Sequence, residues 1–258
     1  MLTAGIDVGF ANTKALILQD GEILAQVVVA NGRQELSEVI TRAWQEALAQ
    51  AAVPARALAG AVATGDGRAH ATQARAQASV AQCCARGTAR LLPSVRTVLD
   101  LGAETCLALK IGKGVPLNIV RNDRCASGTG RSLKMAAKML DVSLEGLGAL
   151  SLLSREEISL NHTCAVFAES EIISKIHQRY RREDIARAVF RGLARRAQAL
   201  LVKVGLEKDL ALVGGLAANQ GLLQALQAEL GCEVRVPEEP LLVGALGAAL
   251  LAAEKGGS

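Results

Sequence analysis

A strand-like apolar segment that ends in Asp-x-Gly occurs twice in this 258-residue chain, at AGIDVG (residues 4–9) and at VLDLG (residues 98–102). A carboxylate at a strand end, followed by a turn that contains glycine, can hold a hydrated Mg²⁺ while backbone N–H groups of the turn face phosphate oxygens. A single Asp-x-Gly is ordinarily just a turn capped by Asp. Its recurrence at Asp7 and Asp100 favours a site for nucleotide phosphates.

Alternating strands and helices surround both copies of the pattern, as in α/β proteins. Predicted strands cover residues 4–9, 13–18, 22–29, 60–64, 98–102 and 107–111, a helix covers residues 34–51, and Asp20-Gly21 forms a hairpin turn. We therefore expect two lobes. The first spans residues 1–94 and is rejoined by residues 238–258, and the second spans residues 95–237.

A third glycine-bearing loop lies in LALVGGLAANQG, residues 210–221, where a buried strand runs into Gly214-Gly215 and then into a helix. Glycines let the backbone approach a ligand closely. This loop, together with Asn219, is predicted to contact a nucleoside.

Composition excludes several classes of protein. Aromatic residues make up 2% of the chain and the net charge is +4, so stacking on nucleic-acid bases is not expected. The longest apolar runs, such as residues 241–253, are shorter than the roughly 20 residues that span a membrane, and no secretory signal is visible. We expect a cytoplasmic protein whose six cysteines are thiols or metal ligands.

Two cysteines lie in segments that carry chemistry, NDRCASGTGRS (residues 122–132) and HTCAVFAES (residues 162–170). Cys125 and Cys164 each precede a helical apolar stripe, and a helix N-terminus favours a thiolate or an anionic cluster. The residues alone leave open a nucleophilic thiol, an incidental cysteine in a phosphate loop, or a metal ligand. Two cysteines are too few for an iron-sulfur cluster, which usually takes four, although a two-fold dimer supplies four. The remaining cysteines are assigned to packing: Cys83, Cys84, Cys106 and Cys232.

The segments NDRCASGTGRSL, HTCAVFAESEIIS, ATGDGR, VGGLAANQGLL and VGALGAAL together resemble the activators of 2-hydroxyacyl-CoA dehydratases and the related ATPase subunits of benzoyl-CoA reductase. The resemblance covers nearly the whole chain. It implies an actin-like ATPase fold of two lobes with ATP or ADP and Mg²⁺ in the cleft between them. It also implies a homodimer in which Cys125 and Cys164 of each chain hold one bridging 4Fe-4S cluster. Such a protein receives electrons from ferredoxin or flavodoxin and, driven by ATP hydrolysis, passes single low-potential electrons to an iron-sulfur acyl-CoA dehydratase or reductase.

The resemblance also implies roles for the loop residues. Asp7 and Asp100 are expected near Mg²⁺. The residues expected at the phosphates are Gly9, Asn12, Thr13, Lys14 and Gly102. Those expected at the nucleoside are Gly214, Gly215 and Asn219. The chain departs from the family at Phe10-Ala11, where Ser-Thr is usual, and at Ala103-Glu104-Thr105, where Gly-Gln-Asp is usual. Glu104 therefore places a carboxylate where the γ-phosphate or the attacking water is handled.

Two other functions remain compatible with these residues. One is an actin-like kinase that phosphorylates a small molecule and carries no cluster. The other is a nucleotide-binding regulator whose cluster is structural. In addition, Arg187, Arg191 and Arg195 form a basic stripe at helical spacing, which is either a solvated surface or a docking site for an acidic partner.

Overall fold

The computed structural model describes residues 1–122, 129–160 and 165–256. The strands are β1 (Leu2–Val8), β2 (Asn12–Gln19), β3 (Glu22–Ala30), β4 (Gly60–Thr64), β5 (Ala76–Gln77), β6 (Thr97–Leu101), β7 (Cys106–Gly112), β8 (Val115–Arg121), β9 (Leu210–Val213) and β10 (Val234–Arg235). The helices are α1 (Leu36–Ala51), α2 (Val80–Leu91), α3 (Gly130–Met139), α4 (Leu144–Ser151), α5 (Ala165–His177), α6 (Arg182–Val204), α7 (Gln220–Leu230) and α8 (Val243–Gly256). The strands predicted from the sequence are confirmed, and the first helix begins two residues later than predicted.

The chain forms two compact units. Unit 1 contains Met1–Val95, Ile111–Leu117 and Leu241–Ser258, and unit 2 contains Arg96–Lys110 and Asn118–Pro240. Their sheets have the same strand order, β3-β2-β1-β4-β5 in one and β8-β7-β6-β9-β10 in the other. In each, the strand that ends in Asp-x-Gly lies at the centre, antiparallel to the next strand in the chain and parallel to a later one. The repeated sequence pattern thus corresponds to a repeated topology.

Unit 1 has helices on both faces of its sheet, and β2 shows why. Ala15 and Ile17 of this strand belong to the apolar cluster that includes α1, whereas Leu16 and Leu18 pack against α8. Successive side chains of a strand point to opposite faces, so a strand covered on both faces is apolar throughout. The Asp20-Gly21 turn that follows has positive φ angles of 53° and 88°, as a type I′ hairpin requires.

The core of unit 2 forms where β6 and β9 meet helices α3, α4, α6 and α7. Its largest fully buried side chain is Phe190 of α6, the 23-residue helix of this unit. The stripe predicted after Cys125 is confirmed, because Leu133, Ala136 and Ala137 of α3 are buried. In the described part of the chain, no helix is both long and apolar enough to cross a membrane.

Helix α5 forms as predicted, but its apolar stripe is not part of the core. Phe167, Ile173 and Ile176 are exposed to 62%, 44% and 39%, whereas Ile172 is buried. The predicted helix is confirmed, and the described residues of its apolar stripe are exposed, because the burial of a helix face depends on the elements that it meets.

Candidate functional site

In unit 1 the sheet delivers Asp7 to the end of β1, opposite Lys14 on β2 and beside Thr64 on β4. The Lys14 Nζ donates a hydrogen bond to Asp7 Oδ2 at 2.9 Å. Both side chains are largely buried, with exposures of 9% for Lys14 and 16% for Asp7. A shielded pair of this kind is held more strongly than a surface pair. It presents one carboxylate and one ammonium group at the turn that Gly9 begins.

Asn31, which the sequence did not single out, fixes the β1–β2 turn. Its side-chain Nδ2 donates to the carbonyl oxygens of Gly9 at 2.9 Å and Phe10 at 3.0 Å, and its Oδ1 accepts the Thr13 hydroxyl at 2.9 Å. Within the turn, the Gly9 N–H donates to the Asn12 carbonyl oxygen at 3.1 Å. Thr13 is fully buried, so its hydroxyl shapes the turn from within, whereas Gly9 and Asn12 are partly accessible.

Glycines close around the Asp7 carboxylate. At Gly65, which follows β4 and has φ +89°, an added Cβ would collide with the Val8 carbonyl oxygen and lie 2.7 Å from Asp7 Oδ1. At Gly244, in α8, an added Cβ would lie 2.9 Å from Asp7 Oδ2. The motifs ATGDGR and VGALGAAL therefore bring backbone close to this carboxylate. Their contact with Asp7 could not be read from the sequence, since each lies far from Asp7 along the chain.

Unit 2 repeats this arrangement around Asp100, which lies beside Val213 in the β6–β9 ladder. At Gly214, with φ +90°, an added Cβ would collide with Asp100 Oδ1 and lie 2.7 Å from the Leu101 carbonyl oxygen. The Gly102 N–H closes the next turn by donating to the Thr105 carbonyl oxygen at 2.8 Å. Asp100 is thus enclosed by a glycine after the parallel neighbour strand, as Asp7 is enclosed by Gly65.

The turn of residues 102–105, called here the second turn, is joined to the start of α3. The Gly130 N–H donates to the Gly102 carbonyl oxygen at 3.0 Å, and the Arg131 N–H donates to the Ala103 carbonyl oxygen at 2.9 Å. The Arg131 guanidinium also donates to Glu104 Oε1 at 3.1 Å. Glu104, the residue that departs from the family pattern, is therefore paired with a cation. The sequence gave no signal for this pair, because its partners lie 27 residues apart.

A buried thiol lies next to the same turn. Burial raises the pKa of Cys106 to about 12, with a further contribution from the negative charge of Asp100. A thiol with so high a pKa stays protonated at neutral pH and is therefore a poor nucleophile. Cys83 and Cys84 are also buried, whereas Cys232 is partly exposed. The burial of Cys83, Cys84 and Cys106 agrees with their assignment to packing.

Asn219 holds two helices of unit 2. It is the N-cap of α7, where its Oδ1 accepts from the Leu222 N–H at 3.1 Å, and its Nδ2 donates to the Leu144 carbonyl oxygen at 3.1 Å. Leu144 lines an open groove of about 630 Å³ together with Lys134 and Lys138 of α3. Asn219 therefore shapes the wall of this groove, and Gly215 is exposed at the start of the same loop.

Cys125 and Cys164, the predicted cluster ligands, lie outside the described residues. Residues 122 and 129–132 of the first segment are described, and two of them, Asn122 and Gly130, are bonded to residues near Asp100. Asn122 accepts from the Cys106 N–H through its Oδ1 at 2.8 Å and donates its own N–H to the Cys106 carbonyl oxygen at 3.0 Å. Gly130 makes the bond to Gly102 given above. Asn122 and Gly130, which lie on either side of Cys125 in the sequence, are thus both bonded to the β6–β7 hairpin that carries the second turn.

The basic stripe of α6 is paired within the chain. Arg191 contacts Glu157 at 3.0 Å and Glu229 at 4.0 Å, Arg187 contacts Glu157 at 3.8 Å, and Arg195 contacts Glu229 at 3.3 Å. These exposed pairs support the solvated-surface interpretation over an acidic docking partner.

Each unit places one carboxylate, Asp7 or Asp100, at the end of its central strand beside a glycine turn. Carboxylate oxygens are the ligands that Mg²⁺ prefers, and glycine turns leave room for phosphate oxygens beside them. At Gly65 and Gly214 the backbone passes so close to the carboxylates of Asp7 and Asp100 that only glycine fits, since an added Cβ would collide there.

Comparison with solved structures identifies the class of fold. A ROK hexokinase from Thermus thermophilus aligns with 99% of this chain and 99% of its own, at a TM-score of 0.53 and 18% sequence identity. This likeness concerns the fold alone. The predicted actin-like ATPase fold is confirmed by this likeness together with those to the two activator structures described below.

The chain belongs to the BadF/BadG/BcrA/BcrD ATPase family, whose pattern it matches over residues 4–252. It is 38% identical to the activator of lactoyl-CoA dehydratase from Anaerotignum propionicum, over 98% of each chain. Component A of (R)-2-hydroxyglutaryl-CoA dehydratase from Acidaminococcus fermentans superposes over 100% of both chains with a TM-score of 0.96 at 36% identity. The activator of 2-hydroxyisocaproyl-CoA dehydratase from Clostridium difficile, solved with bound ADPNP, has a TM-score of 0.93 at 35% identity, covering 100% of this chain and 96% of its own. The family resemblance drawn from the sequence is confirmed, and the chain is an enzyme of the ATPase class.

Proposed function

We propose that this protein is an ATP-dependent electron-transfer activator. In this proposal a homodimer, with one 4Fe-4S cluster bound by Cys125 and Cys164 of each chain, donates single low-potential electrons to an iron-sulfur enzyme that acts on an acyl-CoA. The observation that carries the proposal is the likeness to acyl-CoA dehydratase activators along essentially the whole chain. A partner of the 2-hydroxyacyl-CoA dehydratase or benzoyl-CoA reductase type fits that likeness, and ferredoxin or flavodoxin is the proposed donor.

The nucleotide is assigned to the two Asp-x-Gly turns. Asp7 and Asp100 would hold Mg²⁺, which neutralises phosphate charge when bound. Lys14 would contribute a point charge to the phosphates, and the largely buried position of its ammonium favours a strong interaction there. Gly9, Asn12 and Gly102 would supply backbone or amide contacts. Thr13 would act through the shape of the turn, because its hydroxyl is bonded to Asn31.

At the nucleoside end, Gly214 and Gly215 would allow close approach of the backbone. Asn219 is proposed to contact the nucleoside, and it also holds the loop in place through the bonds of its amide to Leu144 and Leu222. The groove beside Leu144 offers Lys134 and Lys138 as further polar neighbours.

Cys125 and Cys164 are proposed as cluster ligands because the family resemblance implies them and because thiolates suit the cluster chemically. Thiolates are the usual ligands of 4Fe-4S clusters, which accept and donate one electron at a time when bound. The other four thiols are poor alternatives, because Cys83, Cys84 and Cys106 are buried and Cys232 lies outside the motifs. Among the residues that the structure describes, no group of three His, Cys, Asp or Glu side chains is arranged to hold a metal.

A route from nucleotide to cluster is available through the second turn. The bonds from Asn122 to Cys106 and from Gly130 to Gly102 attach both flanks of the Cys125 segment to the strands that bear Asp100. A ligand that binds differently to two states of this turn would shift the flanks with it, and only that difference in binding free energy can be transmitted.

The proposal is tested by anaerobic purification, iron determination per dimer and absorption spectra before and after dithionite. We expect four irons per dimer, as a 4Fe-4S cluster requires, and bleaching on reduction. Cys125→Ser should lose the iron, whereas Cys232→Ser, which removes a partly exposed thiol outside the motifs, should keep it. An iron-free protein with intact thiols would contradict the proposal.

Two further assays separate the alternative functions. Phosphate transfer to a small molecule by an iron-free protein would favour a kinase. A reducible cluster that passes no electron to an activator-dependent dehydratase or reductase, with ATP and reductant present, would favour a nucleotide-binding regulator.

A further inference from the structure

Glu104 and Arg131 form an ion pair at the second turn that has no obvious role in folding. The pair measures 3.1 Å, with side-chain exposures of 32% for Glu104 and 70% for Arg131. Exposed pairs of this kind contribute little to stability. The connection between the turn and α3 is already made by the two backbone hydrogen bonds from Gly130 and Arg131. The ion pair of Glu104 and Arg131 is therefore not needed to join the turn to α3.

The charge of Glu104 is a problem for a turn that binds phosphate. Asp100 already contributes a carboxylate, which Mg²⁺ can neutralise, but Glu104 adds a second negative charge two residues after Gly102. Like charges at short range repel, and the repulsion grows with the charge of the ligand. A nucleoside triphosphate, which carries one more phosphate than a diphosphate, is penalised more.

Arg131 is held where it can remove this penalty. Its backbone N–H is bonded to Ala103, so its side chain starts next to Glu104 whichever partner the guanidinium takes. Guanidinium groups bind carboxylate and phosphate oxygens with similar planar geometry. Because the exposed pair with Glu104 is weak, Arg131 can exchange the carboxylate for a phosphate at little cost.

We infer that Arg131 compensates the charge of Glu104, and that this pair sets how strongly the second turn discriminates between a nucleoside triphosphate and a nucleoside diphosphate. The inference rests on the proposed assignment of nucleotide phosphates to this turn. It makes Arg131 a specificity-determining residue and gives the departure from the family at Glu104 a compensating partner in the same chain.

The test is the affinity of the intact, anaerobically purified protein for Mg-ADPNP and Mg-ADP, measured by calorimetry for the wild type and variants. Arg131→Gln leaves Glu104 uncompensated, so we expect ADPNP to bind roughly tenfold more weakly while ADP changes less than about threefold. Glu104→Gln removes the repulsion and should strengthen ADPNP binding. In the double variant the two effects should offset, and added salt should reduce all of them.

Arg191→Gln is the matched control, because it breaks an exposed pair with Glu157 of similar length, 3.0 Å, in the same unit. It should change neither affinity. Arg131→Lys keeps the charge and should retain the preference for ADPNP within about threefold, which also covers the case in which Arg131→Gln folds poorly. Equal effects on both nucleotides, or none, would overturn the inference while leaving the ATPase assignment intact. A wild type that binds neither nucleotide would overturn both.

Discussion

Gly65 is the residue whose replacement tests the described geometry around Asp7 most sharply. Its φ of +89° is a conformation that L-residues adopt at a cost of roughly 1–2 kcal/mol, partly offset by the lower chain entropy of unfolded alanine. The Cβ of Gly65→Ala would in addition collide with the Val8 carbonyl oxygen and crowd Asp7 Oδ1. Overpacking of this kind adds about 1–3 kcal/mol. We expect Gly65→Ala to lower the free energy of unfolding of unit 1 by roughly 2–4 kcal/mol.

Gly21→Ala separates the two contributions. Gly21 has a nearly identical φ of +88° in the same unit, but nothing lies within 4 Å of an added Cβ, so this variant should lose only about 1 kcal/mol. The chain contains one tryptophan, Trp44, which is buried in the core of unit 1, so its fluorescence during urea unfolding reports on this unit. Equal losses in the two variants would refute the close packing of Gly65 against Val8 and Asp7. In the proposed function, Gly65→Ala should also reduce ATP hydrolysis, and Gly21→Ala should not.

Three other predictions concern single groups. The pKa of Asp184 is lowered from 3.8, because burial, which raises the pKa, is outweighed by hydrogen bonds from two backbone N–H groups and a hydroxyl. The stabilising effect of this carboxylate is complete above about pH 4 and is lost as the pH falls through the lowered pKa. The urea midpoint of Asp184→Asn should therefore fall less steeply in acid than that of the wild type. Lys14→Met removes the cation paired with Asp7 and should lower kcat/KM for ATP roughly a hundredfold or more in a phosphate-release assay, and an unchanged value would argue against a phosphate contact. Iodoacetamide at about pH 8 should label Cys232 and leave Cys106 unlabelled until the protein unfolds, as peptide mass mapping can determine.

Local patterns predicted the fold well where they depend on nearby residues. The alternation of strands and turns around Asp7 and Asp100 reported both central strands, and Asp20-Gly21 reported its hairpin. The apolar residues of α5 predicted a helix but not its buried face, since burial depends on which neighbours a helix meets. Phe167 shows the limit, being apolar in sequence and exposed in the structure.

The residues around the site could be predicted only in part. The type and spacing of the carboxylates and glycines predict a phosphate site from the sequence. The residues that pair with the turns reach them only through tertiary contacts, which the sequence does not show. Asn31 and Arg131 carry no signal in the sequence, yet one fixes the first turn and the other pairs with Glu104. Asn219 is predicted at the nucleoside from its place in the glycine loop, and the structure adds that it is the N-cap of α7 and a partner of Leu144.

The packing of α8 has a consequence for synthesis of the protein. This helix covers Leu16 and Leu18 of β2. It also touches the backbone of β1, where an added Cβ at Gly5 would lie 2.6 Å from the Ala249 nitrogen. The last residue of unit 2, Pro240, is synthesised before α8. The face of the unit 1 sheet that α8 covers therefore stays uncovered until residues 241–256 have been synthesised, although folding during translation usually proceeds from the N-terminus. The unit that begins the chain is the last that can be completed.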